Sequence, residues 1–181
     1  MARQPSLRAL VLGGANTLAA DRAAALEMFE PDLVIACNHA ARDEPGRVDA
    51  WATMHAELLP SWIALRTRAG HPPAESYWHA RHRVCTVPGA NPIESWGGSS
   101  GLLCVAVAFK LGCSHVVLAG VPMVKTFGHY DDKRHWMEAR QYWPAWERRL
   151  PQMRDRVRSL SGWTRDLLQG PTQEWLDGNP A

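Results

Sequence analysis

Lysine is scarce in this chain: Lys110, Lys125 and Lys133 are the only three, against seventeen arginines, and the net charge is only +2. That balance gives no global case for a nucleic-acid or membrane-surface partner, since either needs a concentrated excess of positive charge. Cysteine numbers four, Cys37, Cys85, Cys104 and Cys113, and no two form a C-x-x-C pair. Neither a zinc site nor a dithiol redox motif is therefore indicated, and no metal ligand set is assigned. All four lie in or beside apolar runs and read as small buried hydrophobes in a reducing compartment. No apolar stretch reaches the ~20 residues of a membrane-spanning helix, and the first apolar run has no signal-peptide cleavage pattern. A cytoplasmic protein with no membrane span is expected. Internal repeats and low-complexity linkers are also lacking. One α/β domain over 1–181 is expected, with its core at about 7–168 and an irregular tail over 170–181.

What is present is an alternation of strand-like and helix-like segments. Leu7 to Leu12 is an apolar run ending in Gly13-Gly14, followed by an Ala-rich helical segment from Ala19 to Phe29. This strand–turn–helix opening is the kind nucleotide-binding α/β domains use, although a full G-x-G-x-x-G is missing. Asp32 to Asn38 reads as a second strand and Val48 to His55 as a third. The segment Arg81–Val87 predicts another. Trp96-Gly97-Gly98-Ser99-Ser100-Gly101 then leads into a buried helix from Leu102 to Leu111, and Val116–Gly120 reads as the next strand. A helix is expected within Lys133–Val157, in one or two pieces because Pro144 and Pro151 are breakers. A short strand and turn at Arg158–Gly162 and a helix at Trp163–Leu168 complete the series. The expected fold is a single Rossmann-like parallel sheet with helices on both faces.

Ligands of such sheets bind at the C-terminal ends of the strands. Gly97, Gly98 and Gly101 let backbone approach a ligand, and Ser99 or Ser100 stands at a helix start, whose free N–H groups suit a phosphate or carboxylate. The plainer alternative is that one of these serines only caps the helix. Gly101→Val is expected to block the ligand at little cost in stability. Asn38, at a strand end, can donate and accept at once, or merely form a turn. His55 is a strand-end candidate or a core-edge histidine. The series Arg148, Arg149, Arg154, Arg156 and Arg158 offers a basic face for phosphates or nucleic acid, but interleaved Glu147 and Asp155 favour a solvated helix face.

These elements, in this order, resemble the sialyltransferase-like fold of CMP-sialic-acid-dependent glycosyltransferases, and the related 6-hydroxymethylpterin diphosphokinase-like proteins. Gly13, Gly14, Asn16 and Thr17 stand in the family's first glycine loop, and Asn38 at the end of its second strand. His55 matches a polar third-strand end. Ser99-Ser100-Gly101 through Gly120-Val121-Pro122 matches a T-S-G loop, helix and strand ending in G-I-D, with Pro122 in place of the acid. Ser161 falls in a late turn that contacts the nucleotide. The resemblance implies a nucleotide-sugar donor as substrate, no required cofactor, and a loop histidine as general base: His129, with His135 in reserve. The acceptor is not implied, and a homo-oligomer is compatible with the chain. The diphosphokinase alternative implies ATP and Mg²⁺, with Asp131 and Asp132 as candidate ligands. A third alternative is a binding or assembly protein that keeps the fold without the chemistry.

Overall fold

The computed structural model describes residues 6–125, 128–130 and 137–178. Seven strands form one sheet: β1 (Leu7–Leu12), β2 (Leu33–Cys37), β3 (Ala50–Thr53), β4 (Ser76–Ala80), β5 (Asn91–Ile93), β6 (Cys113–Ala119) and β7 (Val157–Ser159). Every pairing is parallel, and the spatial order is β5-β4-β3-β2-β1-β6-β7. The chain starts in the interior of the sheet, moves outward through β5, and returns to the other side of β1 for β6 and β7. The direction of winding reverses between β1 and β6, and a crevice opens where the connections diverge.

Period-two alternation sends side chains to two cores. Ala9 and Val11 of β1, Ile35 of β2, Ala52 of β3 and Leu118 of β6 face one apolar cluster. Leu10, Leu12, Ala36, Trp51 and Val117 face the other. The first cluster is covered by α4 (Ser100–Lys110), α5 (Trp143–Met153) and α6 (Gly162–Leu168), the second by α1 (Leu18–Met28), α2 (Asn38–Asp43), α3 (Leu59–Arg68) and α7 (Gln173–Asp177). Helix α4 is buried from Gly101 through Ala108. A helix apolar all round has no solvent face to offer, so it packs as the centre of its layer.

Four expectations about elements are corrected. The strand foreseen in Arg81–Val87 lies just before it, at Ser76–Ala80, where Tyr77 and Trp78 favour extended backbone and His79 and Ala80 are buried. Arg81 to Val84 are all exposed, so those residues have no core to face. The third strand stops at Thr53, two residues short of His55. The late helix, in its described part, begins at Trp143 after a 3₁₀ turn at Ala139–Tyr142, with Pro144 in its first turn, where the missing N–H costs nothing. The tail is not wholly irregular: α7 carries a Thr172 cap whose side chain accepts from the Trp175 N–H.

One charged side chain is built into the second core. Arg66 is 1% exposed, and its guanidinium donates to the carbonyls of Ala41, Glu44, Gly46 and Pro72. Burial pulls its pKa down from the ordinary arginine value, and the Glu44 carboxylate opposes that shift. Among the described residues no helix is long and apolar enough to cross a membrane.

Candidate functional site

At the β1/β6 reversal the loops leaving the two strands touch. Gly13 N–H donates to the Ala119 carbonyl (2.8 Å), and Ala15 N–H donates to the Gly120 carbonyl (3.1 Å). Gly120 takes a positive φ of 69°, and a Cβ on it would lie 2.9 Å from Leu18 Cβ. Beside this junction is a cavity of about 350 Å³, within the range of small-molecule sites. Its walls come from the first loop, the junction of β2 with α2, His55 just beyond β3, the start of α4, the Gly120–Met123 loop, and Gly128 and His129.

Helix α4 presents its N-terminus here. Ser99 is its cap: Ser99 Oγ accepts from Leu102 N–H (3.2 Å) and from Trp146 Nε1 (3.2 Å). The capping reading therefore holds for the Ser99 hydroxyl, which both bonds occupy. Ser99→Ala strands two buried donors, and a loss of about 2 kcal/mol is expected in urea unfolding. The N–H groups of Ser100 and Gly101 have no partner among the described residues. They are the donors a bound anion would meet.

Asn38 sits next to them in left-handed backbone, φ 48°, a conformation Asn tolerates better than most residues. Its Nδ2 donates to Ser100 Oγ (3.1 Å), and its Oδ1 accepts from Thr53 Oγ1 (2.8 Å). Asn38 thus donates and accepts at once, but to Ser100 and Thr53, and it ties three elements together beside the cavity. Cys37 also lines the cavity, and the neighbouring Cys104 is fully buried. Burial pushes the Cys104 thiol well up, so it stays a neutral hydrophobe. Cys85 is only half-buried, unlike the other three cysteines.

His129 enters from the far side. Gly128–Tyr130 pairs against the first loop through Asn16 N–H to Gly128 O (2.9 Å) and Tyr130 N–H to Gly14 O (3.1 Å). His129 Nδ1 lies 3.2 Å from the Gly14 carbonyl oxygen. Tyr130 Oη donates to Asp43 Oδ2 (2.6 Å), which fixes the segment to α2. Burial raises the Asp43 carboxyl, but hydrogen bonds from Arg42 and Tyr130 and the charges of Arg42 and His39 outweigh it and leave it below the ordinary value.

Of the residues singled out from sequence, Gly13, Gly14, Asn38, His55, Ser99, Ser100, Gly101, Gly120, Pro122 and His129 line this one cavity. Asn16, Thr17 and Ser161 do not. Thr17 Oγ1 and Ser161 Oγ are 3.2 Å apart, and Ser161 Oγ donates to Asp21 Oδ2 (2.6 Å). Asp21 also accepts from Gly120 N–H (2.8 Å). This buried carboxylate in the first turn of α1 already faces that helix's positive end. The Gly13 and Ala15 N–H groups are spent on the β6 side of the junction, so of this stretch only the Gly14 N–H has no partner among the described residues. His135, Asp131 and Asp132 lie outside the described residues, as does Trp136.

Gly101 needs a correction of a different kind. A Cβ there would stand 2.8 Å from Val121 Cγ1 and 3.7 Å from Trp146 Cζ2. Gly101→Val is thus a core clash, and its loss of binding would come with a loss of stability. The arginine series does not form one solvated face: Arg149 lies over Trp96, Arg156 over Phe109 and Arg158 over Trp175. Trp96 packs edge-on to Phe109, and Trp146 and Trp143 are packing residues of α5, outside the cavity lining.

Sequence reasoning missed Trp62, His39, Leu58, Met123 and Tyr142, all of which line the cavity. Trp62 makes edge contacts with His39 (5.2 Å) and His55 (6.5 Å), and His55 Nδ1 lies 3.5 Å from Glu57 Oε1. The aromatic end of the cavity thus stands across Asn38 from the α4 start. Met123 is held at φ 51° by Trp143, whose Nε1 donates to its carbonyl at 2.8 Å. Among the described residues no group of three His, Cys, Asp or Glu is placed to hold a metal ion. No family model, no curated protein and no solved structure matches the chain.

Proposed function

We propose that this cavity binds a nucleotide-linked donor, of the CMP-sugar kind, and that the protein transfers the activated group with His129 as general base. The observation that carries the reading is the contact of His129 Nδ1 with the Gly14 carbonyl oxygen at 3.2 Å. A carbonyl only accepts, so the bond requires the ring proton on Nδ1 and makes Nε2 the basic nitrogen. An acceptor hydroxyl gives its proton to that nitrogen as its oxygen attacks the donor carbon. The bond from that carbon to the phosphate oxygen breaks, and the phosphate leaves with the electron pair. The N–H groups of Ser100 and Gly101 are oriented for that growing negative charge, with the α4 dipole behind them.

Among the described residues the cavity lining contains no lysine or arginine. Backbone dipoles suit a ligand with one or two negative charges better than a triphosphate, which favours the CMP-linked donor over ATP. Calorimetric titration with CMP, CDP and ATP plus Mg²⁺ separates the readings. CMP binding weakened at least tenfold by Asn38→Ala supports the donor site. Binding of ATP only with Mg²⁺ replaces it with phosphoryl transfer, and no binding by any nucleotide leaves a non-catalytic binding or assembly protein.

A further inference from the structure

Far from the cavity, at the opposite ends of β1 and β6, lies a second group of polar side chains. His115, on β6, is 1% exposed. Its Nδ1 stands 3.1 Å from Ser114 Oγ and 3.2 Å from Ser6 Oγ, and the two serine hydroxyls are hydrogen-bonded to each other. Its Nε2 is buried and has no hydrogen-bond partner among the described residues. The ring meets Trp175 of α7 edge-on, with centroids 4.7 Å apart and planes at 78°. Trp175 Nε1 in turn donates to the Asp155 carbonyl at 2.8 Å, and the neighbouring Leu176 is buried.

The charges that act on a proton at this ring are cationic. Arg8 on β1 and Arg156 and Arg158 beside and on β7 all act against a proton on it. The nearby carboxylates are directed elsewhere: Asp32 pairs with Arg8 at 3.7 Å, and Asp155 acts on Arg158. Glu174 and Asp177 of α7 are exposed, and burial pushes the Cys113 thiol up to about 11, so it stays neutral.

We propose that α7 is an acid-released latch: it lies on the sheet while His115 is neutral, and a proton on His115 lifts it off. A buried imidazolium facing three guanidinium groups, with no carboxylate partner among the described residues, gains by opening to water. The least costly opening is removal of the five-residue helix that covers it, since a terminal turn detaches for far less than the global unfolding free energy.

Burial first, and then the three arginines, hold the folded His115 below the ordinary histidine value, against the Trp175 backbone carbonyl, which favours a proton on the ring. The closed form therefore has its full stability above the ordinary histidine pKa. It loses that stability as pH falls from there toward the lowered folded value.

The test is amide hydrogen exchange, corrected for intrinsic rates, on the full chain at pH 7.5 and 5.5. Protection over Gln173–Asp177 should fall at least tenfold at the lower pH while the β1 and β6 amides stay protected. His115→Phe keeps the ring contact with Trp175, and should make that protection independent of pH. A second measurement on the unmodified protein, the NMR titration of the His115 ring, should share its midpoint with the loss of protection. Equal protection at both pH values, an unchanged loss in His115→Phe, or a different midpoint overturns the latch.

Discussion

His129→Asn is expected to lower transfer from a CMP-linked donor by about 10²–10⁴-fold, the usual contribution of a general base. Nucleotide affinity should change less than threefold, because the proton moves only in the transition state. Asparagine is chosen because its amide can still hydrogen-bond to the Gly14 carbonyl and keep the pairing of Gly128–Tyr130 with the first loop. Steady-state kinetics with a CMP-sugar and calorimetry with CMP read the two quantities separately. Equal losses in turnover and CMP affinity would make His129 a binding residue. If His135→Asn abolishes turnover and His129→Asn does not, the base lies six residues further along the chain.

Gly13→Ala should be the most destabilising single-methyl change in the site. A Cβ on Gly13 would meet the Gly120 carbonyl oxygen, and would lie 2.5 Å from Val121 Cγ2 and 2.8 Å from the Gly120 carbonyl carbon. Two of those atoms are backbone, and their loop is held by the Gly13–Ala119 and Ala15–Gly120 hydrogen bonds. Neither side can yield without breaking the junction of β1 with β6. The expected cost is about 3 kcal/mol, at the upper end for overpacking. At this chain length that lowers Tm by about 6–12 °C. Gly14→Ala is the contrast: its Cβ meets only the His129 ring, at 3.2 Å from Nδ1. It should melt near the unmodified protein while displacing the ring. Calorimetric melts of the two variants check the pair, and equal Tm values would mean that the β1 and β6 loops can part.

The same contrast shows how far a linear reading reaches into the site. Gly13, Asn38, Ser100 and Gly120 are legible because each ends an apolar run or opens a helix, and parallel sheets gather those ends along one edge. His55 reads as the strand end because it and Thr53 are both polar; the pairing of β3 with β4, which ends at Thr53 opposite His79, decides between them. Asp21 reads as an ordinary acidic residue in a first helical turn. Its bonds to Gly120 and Ser161 span 99 and 140 residues, and nothing local announces them. Trp62 carries no local signal of a site, and only the placement of α3 brings it beside His39 and His55.

Local chemistry determined that this chain alternates strands and helices, that β1 and α4 are interior elements, and that glycine loops meet small-residue turns at strand ends. Period-two and all-round apolar patterns are properties of neighbouring residues, so they survive without a fold. Tertiary structure alone decided that the Ser99 hydroxyl is consumed by Leu102 and Trp146, that Gly101 faces Val121, and that the α1 end is already neutralised by Asp21. Each of these depends on which atom stands opposite, and that is set by packing between segments remote in sequence. The same holds for His115: its type was visible, but burial beneath Trp175 among three arginines exists only once β1, β6, β7 and α7 are assembled.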